Sequence, residues 1–128
     1  MDLTILIPVK NEINKIESII QKIDDVIKIN YEILFVNDFS KDGSLELLKK
    51  KELSNSKIRV FDNQKQGLGE TVRNGIKNAN GKFFTILMCD GADDINDLKI
   101  YFDTINNENL DAVFGSRFIK NSKIVEYP

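Results

Sequence analysis

Residues 82–94, KFFTILMCDGADD, pass from an unbroken apolar run into an acidic turn. The run 83–88 is short, contains aromatic and β-branched residues, and has no charge, which is typical of a strand buried on both faces of a parallel sheet. Three carboxylates and a glycine then follow. The carboxyl end of a central strand is where an open α/β sheet places its ligand. We therefore expect Asp90 to face a ligand, and either Asp93 or Asp94 to cap the next helix.

Strands and helices alternate along the whole chain. The predicted strands are residues 3–9, 31–36, 58–61, 83–88 and 112–115. The predicted helices are residues 13–28, with Asn14 as its cap, then 45–53, 70–78 and a segment marked by Leu98, Tyr101, Phe102 and Ile105. This βαβαβαβαβ order predicts one α/β domain over residues 1–128, with three α/β/α layers and a mostly parallel sheet.

The composition excludes several classes of protein. The chain has no histidine, which rules out Ser-His and Cys-His catalysis and histidine zinc sites. Its net charge of −2 implies no general affinity for nucleic acid. No apolar run reaches membrane-spanning length, and the N-terminus lacks a signal-peptide pattern. The single cysteine, Cys89, lies in the apolar run, so a buried, inert thiol is favoured over a nucleophile.

Polar residues follow each of the first four predicted strands. They form the segments 8–12, 37–38 and 66–69, and the last of them is Asp90. Because parallel strands end at one edge of the sheet, Glu12, Asp38 and Asp90 are expected to lie along that edge. Carboxylates there suit Mg²⁺ or Mn²⁺ and, through the metal, phosphate. The alternative is that each acid only caps the helix that follows it.

The Gly67-Leu68-Gly69 segment is not a dinucleotide fingerprint. Val72 stands where the third glycine belongs, and the segment follows the third strand instead of the first. No G-x-x-x-x-G-K-[ST] phosphate loop is present either. A Rossmann dehydrogenase and a P-loop NTPase are both disfavoured.

Five stretches together resemble the nucleotide-binding part of family 2 glycosyltransferases, which have the Rossmann-like GT-A fold. Within that family the chain is most similar to dolichyl- or polyprenyl-phosphate sugar transferases. The stretches are ILIPVKNE (5–12), EILFVNDFSKDGS (32–44), NQKQGLGETVRNGIKNANGKFF (63–84), MCDGADD (88–94) and DAVFGSRF (111–118).

The resemblance implies a function and a set of site residues. It implies an inverting transferase that moves a sugar from a nucleotide-diphosphate sugar to a polyprenyl or dolichyl phosphate or to a glycan. The implied nucleotide-sugar-binding residues are Pro8, Val9, Glu12, Val36, Asp38, Gly67, Cys89, Asp90 and Arg117. Asp90 would also hold a divalent cation, Mg²⁺ or Mn²⁺. No catalytic residue is identified. A homodimer or a membrane-associated partner, at the cytoplasmic face of a membrane, would fit such an enzyme.

The chain departs from the family pattern at four places. Lys10 replaces the usual aromatic, Asn37 replaces the first acid of a V-D-D pair, and Met88 falls where a D-x-D motif has its first acid. Family members also continue beyond the point matching Pro128 into an acceptor-binding half. We therefore expect either the N-terminal part of a longer transferase or a non-catalytic nucleotide-sugar-binding or assembly module. A sugar-nucleotide pyrophosphorylase is disfavoured because PVKNE (8–12) is not a glycine- and arginine-rich loop.

Overall fold

The computed structural model describes residues 1–115 of the chain and forms alternating strands and helices. The elements are β1 (Leu3–Val9), α1 (Ile16–Val26), β2 (Tyr31–Asn37), α2 (Ser44–Ser54), β3 (Ile58–Asp62), α3 (Leu68–Asn78), β4 (Phe83–Ile86) and α4 (Ile95–Asn107). The strand predicted at 112–115 is wrong, because these residues form no strand. Phe114 there is 91% exposed, and a strand this short needs a paired neighbour and a covered face. Arg117 lies outside the described residues.

The four strands form one parallel sheet in the order β3-β2-β1-β4. This confirms the predicted α/β architecture. Right-handed crossovers place α1 and α2 on one face, and α3 on the other because β4 is added on the far side of β1. The side chain of Val72 on α3 packs against Leu6, Leu34 and Val36, which agrees with that placement. Gly75 permits the close approach, since a Cβ there would lie 2.6 Å from a methyl group of Leu6.

Among the described residues, β1 and β2 are the two inner strands of the sheet, and β4 lies beside β1. Every residue of β2 is buried, and in β1 only Pro8 is partly exposed. The expectation that the 83–88 run is buried on both faces is wrong. Its strand ends at Ile86, which is 41% exposed, and the other residues of β4 are partly exposed. Among the described residues β4 pairs with β1 alone, and sequence composition does not show which edges of a strand are paired.

The boundaries of α1 to α3 agree with the predictions to within two residues, except at the start of α1. That helix begins at Ile16 instead of residue 13, and Lys15 occupies its N-cap position without a side-chain capping bond. The expected cap at Asn14 is therefore wrong. Residues 11–13 are held instead by hydrogen bonds to the loop after β2, which keeps them out of the helix.

A buried carboxylate fixes the amino end of the sheet, opposite the predicted site. Glu32 on β2 is 2% exposed. Its carboxylate accepts hydrogen bonds from the Thr4 hydroxyl at 2.7 Å, the Asn80 N–H at 2.8 Å and the Arg59 guanidinium at 3.0 Å. Burial raises the pKa of Glu32, but these bonds and the Arg59 charge together outweigh burial, so the pKa is lowered. The network joins the α3–β4 connection to three strands.

The chain divides into two compact units, Met1–Ile95 and Asn96–Pro128. The first contains the whole sheet. The second is described as far as residue 115 and holds nearly all of α4. Among the described residues, no helix combines the length and the apolar character needed to cross a membrane.

Candidate functional site

The carboxyl ends of the four parallel strands lie on one edge of the sheet. The chain moves from β1 outward to β2 and β3, then crosses back to place β4 on the other side of β1. Such a reversal opens a crevice between the loops that leave the two strands, and ligands of open α/β sheets bind there. The loops after β1 and β4, residues 10–15 and 87–94, therefore flank the candidate site.

The loop after β1 is fastened to the loop after β2. The hydrogen bonds run from Lys41 N–H to Asn11 Oδ1 at 2.7 Å, Asn11 N–H to Ser40 Oγ at 3.0 Å, Ile13 N–H to Asp42 Oδ2 at 3.1 Å, and Glu12 N–H to Ser44 Oγ at 3.1 Å. Two non-glycine residues in these loops, Asn11 and Phe39, have positive φ angles of 55° and 58°. Such angles are strained in ordinary residues and persist where surrounding bonds impose them. The backbone around Glu12 is thus fixed in place.

Asp38 contacts two of the other predicted site residues, Val9 and Gly67, and also Asn63. Its backbone N–H donates to the Val9 carbonyl at 2.8 Å. Its carboxylate, only 8% exposed, accepts from the Gly67 N–H at 3.2 and 3.3 Å and from Asn63 Nδ2 at 3.3 Å. Gly67 has φ 125°, which a residue with a side chain rarely adopts. The structure thus brings Asp38, Val9 and Gly67 together, while Pro8 lies opposite Val36 in the β1–β2 register.

Asn63 was not singled out by the sequence analysis, although it organises the loop between β3 and α3. Its Nδ2 also donates to the Thr71 hydroxyl at 2.7 Å, and its Oδ1 accepts from Asn74 Nδ2 at 2.9 Å. The side chain is buried, so these bonds supply its donors and acceptor without water. Its position at the head of NQKQGLG, directly after a strand, was the available signal.

Asn37 shows why an amide stands where the family pattern has an acid. Its Nδ2 donates to Asp62 Oδ1 at 2.8 Å. A carboxylate at position 37 would instead place two negative charges at that distance. The Asn37 Oδ1 is buried and has no hydrogen-bond partner among the described residues, which costs about 1–3 kcal/mol.

The acidic loop after β4 is closed by its own carboxylates. Asp90 is exposed, and its Oδ1 accepts from the Ala92 N–H at 2.9 Å. Asp93 Oδ2 accepts from the Met88 N–H at 3.0 Å, which ties the end of the turn to its start. Gly91 between them has φ 79°. Capping of α4 by Asp94 stays a prediction.

The loops after β1 and β4 meet in the crevice. The Lys15 ammonium donates to the backbone carbonyl of Asp90 at 3.3 Å. The pKa of the Cys89 thiol is raised to about 11, first by burial and then by the negative charges of Glu12 and Asp90, while the charge of Lys15 partly opposes them. These four side chains therefore share one electrostatic environment. The expected burial of the thiol is confirmed, and its inertness stays a prediction.

The described residues do not form a metal site by themselves. Among residues 1–115 no group of three or more histidine, cysteine or acidic side chains is placed to hold a metal ion. Asp90 supplies one exposed carboxylate, and Met88 supplies no hard oxygen ligand. Because Mg²⁺ is often held by one or two carboxylates plus substrate phosphates, Asp90 fits a cation that a bound diphosphate helps to coordinate.

The parallel sheet, its order and the loops at its carboxyl edge define a GT-A-type α/β domain. The model of the glycosyl transferase family 2 matches residues 4–128, and the chain belongs to that family.

Individual relatives agree with this assignment. The dolichol-phosphate mannosyltransferase of Pyrococcus furiosus is 31% identical over 131 aligned residues, which cover 100% of this chain and 36% of that protein. S. aureus TarS 1-349 in complex with UDP-GlcNAc superposes with a TM-score of 0.71 at 19% identity, over 85% of this chain and 32% of that one. The Pyrobaculum calidifontis mannosyltransferase PcManGT, in complex with GDP-Man and Mn²⁺, gives 0.62 at 18% identity, over 69% and 27%. The chain thus spans about a third of the relative's length.

Proposed function

We propose that this chain binds the nucleotide-diphosphate sugar of an inverting glycosyltransferase whose acceptor is a polyprenyl or dolichyl phosphate or a glycan. One observation carries the proposal: the loops after all four strands are linked at one edge of the sheet. Asp38 joins the ends of β1 and β2 to the loop after β3, and Lys15 joins the loop after β1 to the loop after β4. The complexes of similar folds with UDP-GlcNAc and GDP-Man support this choice of ligand.

The edge divides into two regions with different chemistry. The base and ribose would lie along a set of residues at the ends of β1 and β2 and in the loop after β3, namely Pro8, Val9, Glu12, Val36, Asp38 and Gly67. The diphosphate would lie at Cys89 and Asp90, in the crevice. Arg117, outside the described residues, would add a positive contact to the donor.

The proposal includes a divalent cation held by both the protein and the donor. Asp90 would hold Mg²⁺ or Mn²⁺ jointly with the diphosphate, and a cation there offsets negative charge on the departing diphosphate. The similar mannosyltransferase that contains Mn²⁺ supports this choice of metal ion. Asp90→Asn should remove the part of nucleotide affinity that depends on Mn²⁺.

The remaining features of the function concern the protein as a whole. We propose one nucleotide-sugar-binding domain over residues 1–128, acting at the cytoplasmic face of a membrane, with a homodimeric or membrane-associated partner. We assign no catalytic base; a phosphate acceptor needs none, whereas the hydroxyl of a glycan acceptor would need one. The sugar must be held against its acceptor in one geometry, and much of the rate of a transferase comes from that positioning.

A second candidate is a non-catalytic nucleotide-sugar-binding or assembly module. Met88 in place of an acid and the absence of a three-ligand acidic cluster among residues 1–115 favour it. It predicts the same donor binding without transfer. Labelled glycolipid in a radiolabel assay with polyprenyl phosphate and mixed nucleotide sugars would exclude the non-catalytic module, because only a transferase forms that product.

Donor binding is tested by thermal shift with UDP-, GDP- and CDP-linked sugars, each with and without Mn²⁺. A ligand that binds the folded state raises the melting temperature by mass action. We expect one base to give the largest rise and Mn²⁺ to increase it. If none of the nucleotide sugars raises the melting temperature in either condition, the proposed function is wrong.

A further inference from the structure

A lysine at position 15 does not stabilise α1. It is the N-cap residue of α1 and makes no side-chain capping bond. Serine, threonine, aspartate and asparagine are preferred there, and a positive charge is repelled by the helix dipole at this end. A lysine at this point therefore weakens the helix slightly. The ammonium group of Lys15 instead makes a contact outside the helix.

The ammonium group reaches across the crevice. It lies 3.3 Å from the Asp90 carbonyl oxygen, although Lys15 itself belongs to the loop after β1. A lysine ammonium has three donors, and this bond uses one of them. Among the described residues, no carboxylate forms a salt bridge with it. The remaining donors are available to oxygen atoms of a ligand in the crevice.

The crevice also provides little negative charge for holding a metal alone. Asp90 and Glu12 are the acids whose charges act on Cys89, Met88 is neutral, and residues 1–115 contain no acidic cluster suited to a metal ion. A diphosphate entering there would meet these two carboxylates and the ammonium group of Lys15. Because charge-assisted bonds from ammonium to phosphate are short and strong, the ammonium is the natural partner.

We propose that Lys15 binds the diphosphate of the donor and supplies positive charge that does not require a metal ion. This inference rests on the proposed function, since it assumes that a nucleoside diphosphate occupies the crevice. Lys15 and a cation at Asp90 then act in parallel. Lys15 sets the affinity in the absence of metal, and the cation adds to it.

The test measures UDP and GDP binding to the 128-residue chain by calorimetry, once with EDTA and once with Mn²⁺. Lys15→Met should lower the EDTA affinity by about tenfold or more, the usual effect of losing a charge-assisted hydrogen bond. Lys15→Arg should restore most of it. Lys22→Met is the matched control, because Lys22 is exposed on the same helix seven residues further along, roughly 10 Å away. Asp90→Asn should remove the gain in affinity from Mn²⁺.

The outcomes separate this inference from the proposed function. If the unaltered protein binds neither UDP nor GDP in either condition, and no UDP-, GDP- or CDP-linked sugar raises its melting temperature, both are wrong. If it binds one of them and Lys15→Met binds equally well in EDTA, only the role of Lys15 is wrong. An equal loss in Lys22→Met would also overturn that role, because the effect would then reflect net charge. Melting temperatures of all variants confirm that each is folded.

Discussion

Replacing Glu32 by glutamine tests the network that holds β4, and with it the acidic loop, in register. The carboxylate accepts from Thr4 and from the Asn80 N–H on one oxygen, and from Arg59 and the Asn80 side chain on the other. Glutamine has nearly the same shape but offers one oxygen and one NH₂ group. Whichever way the amide is oriented, its NH₂ group faces donors. The substitution therefore replaces attractive contacts by a buried donor–donor conflict.

The loss of stability in Glu32→Gln depends on the burial of Glu32 and on the partners that lose its negative charge. Removing one charge of a buried ion pair costs about 3–5 kcal/mol. Arg59 is partly exposed and keeps its bond to the Asn78 carbonyl at 2.8 Å, so the lower part of the range applies. We expect Glu32→Gln to lower the free energy of unfolding by about 3–4 kcal/mol. The melting temperature should then fall by about 10 °C.

The pH dependence provides a second and independent test. The pKa of Glu32 is lower in the folded protein than its ordinary value of 4.5. Its contribution to stability is therefore complete above pH 4.5 and is lost as the pH falls through the folded pKa. The difference in stability between the unaltered protein and Glu32→Gln should be full at pH 7 and should shrink in acid.

Urea unfolding at pH 7 and at progressively lower pH measures both effects. Glu17→Gln is the control, because Glu17 forms an exposed ion pair with Lys51 at 3.0 Å, which should contribute less than about 1 kcal/mol. A Glu32→Gln variant as stable as the unaltered protein at pH 7 would refute the reasoning. So would a difference in stability that grows as the pH falls.

Three further substitutions or reactions can be checked with the same chain. Gly75→Ala should destabilise α3 packing by about 1–2 kcal/mol, whereas Gly69→Ala on the same helix, where a Cβ would meet the Arg73 side chain at 3.8 Å, should be neutral or stabilising in thermal melts. Asp38→Ala should weaken nucleotide binding in calorimetry and also cost about 2 kcal/mol in urea unfolding, because Gly67 loses its acceptor. Cys89 should react with a thiol reagent at pH 8 far more slowly in the folded protein than in protein unfolded in urea, since burial protects the thiol. Equal reaction rates would contradict this.

The sequence predicts the parallel sheet and its functional edge because both depend on local pattern. Apolar runs of strand length, each followed by polar or glycine-bearing segments, identify β1 to β4 and place Glu12, Asp38 and Asp90 at strand ends. Parallel pairing then determines that these ends share one edge. The binding role of these residues stays a prediction.

Other features depend on contacts between distant parts of the chain and were missed for that reason. Asn63 gains its role through Asp38 and Thr71, and Lys15 gains its contact through Asp90, 75 residues away. The start of α1 shifted because Asp42, in another loop, accepts from the Ile13 N–H. No local periodicity encodes such partners.

Two departures from the family pattern change the charge of the edge in the same direction. Asn37 replaces an acid beside Asp62, and Met88 replaces an acid beside Asp90, so each lowers the negative charge that a free cation would meet. Lys15 adds positive charge at the second of these positions. A less acidic crevice attracts a bare divalent cation weakly but repels a diphosphate less. The proposed roles of Lys15 and Asp90 therefore predict an order of binding: the diphosphate would enter against Lys15, and its oxygen atoms would then complete the shell of a cation at Asp90. Tight binding of Mn²⁺ to the protein without nucleotide would contradict that order.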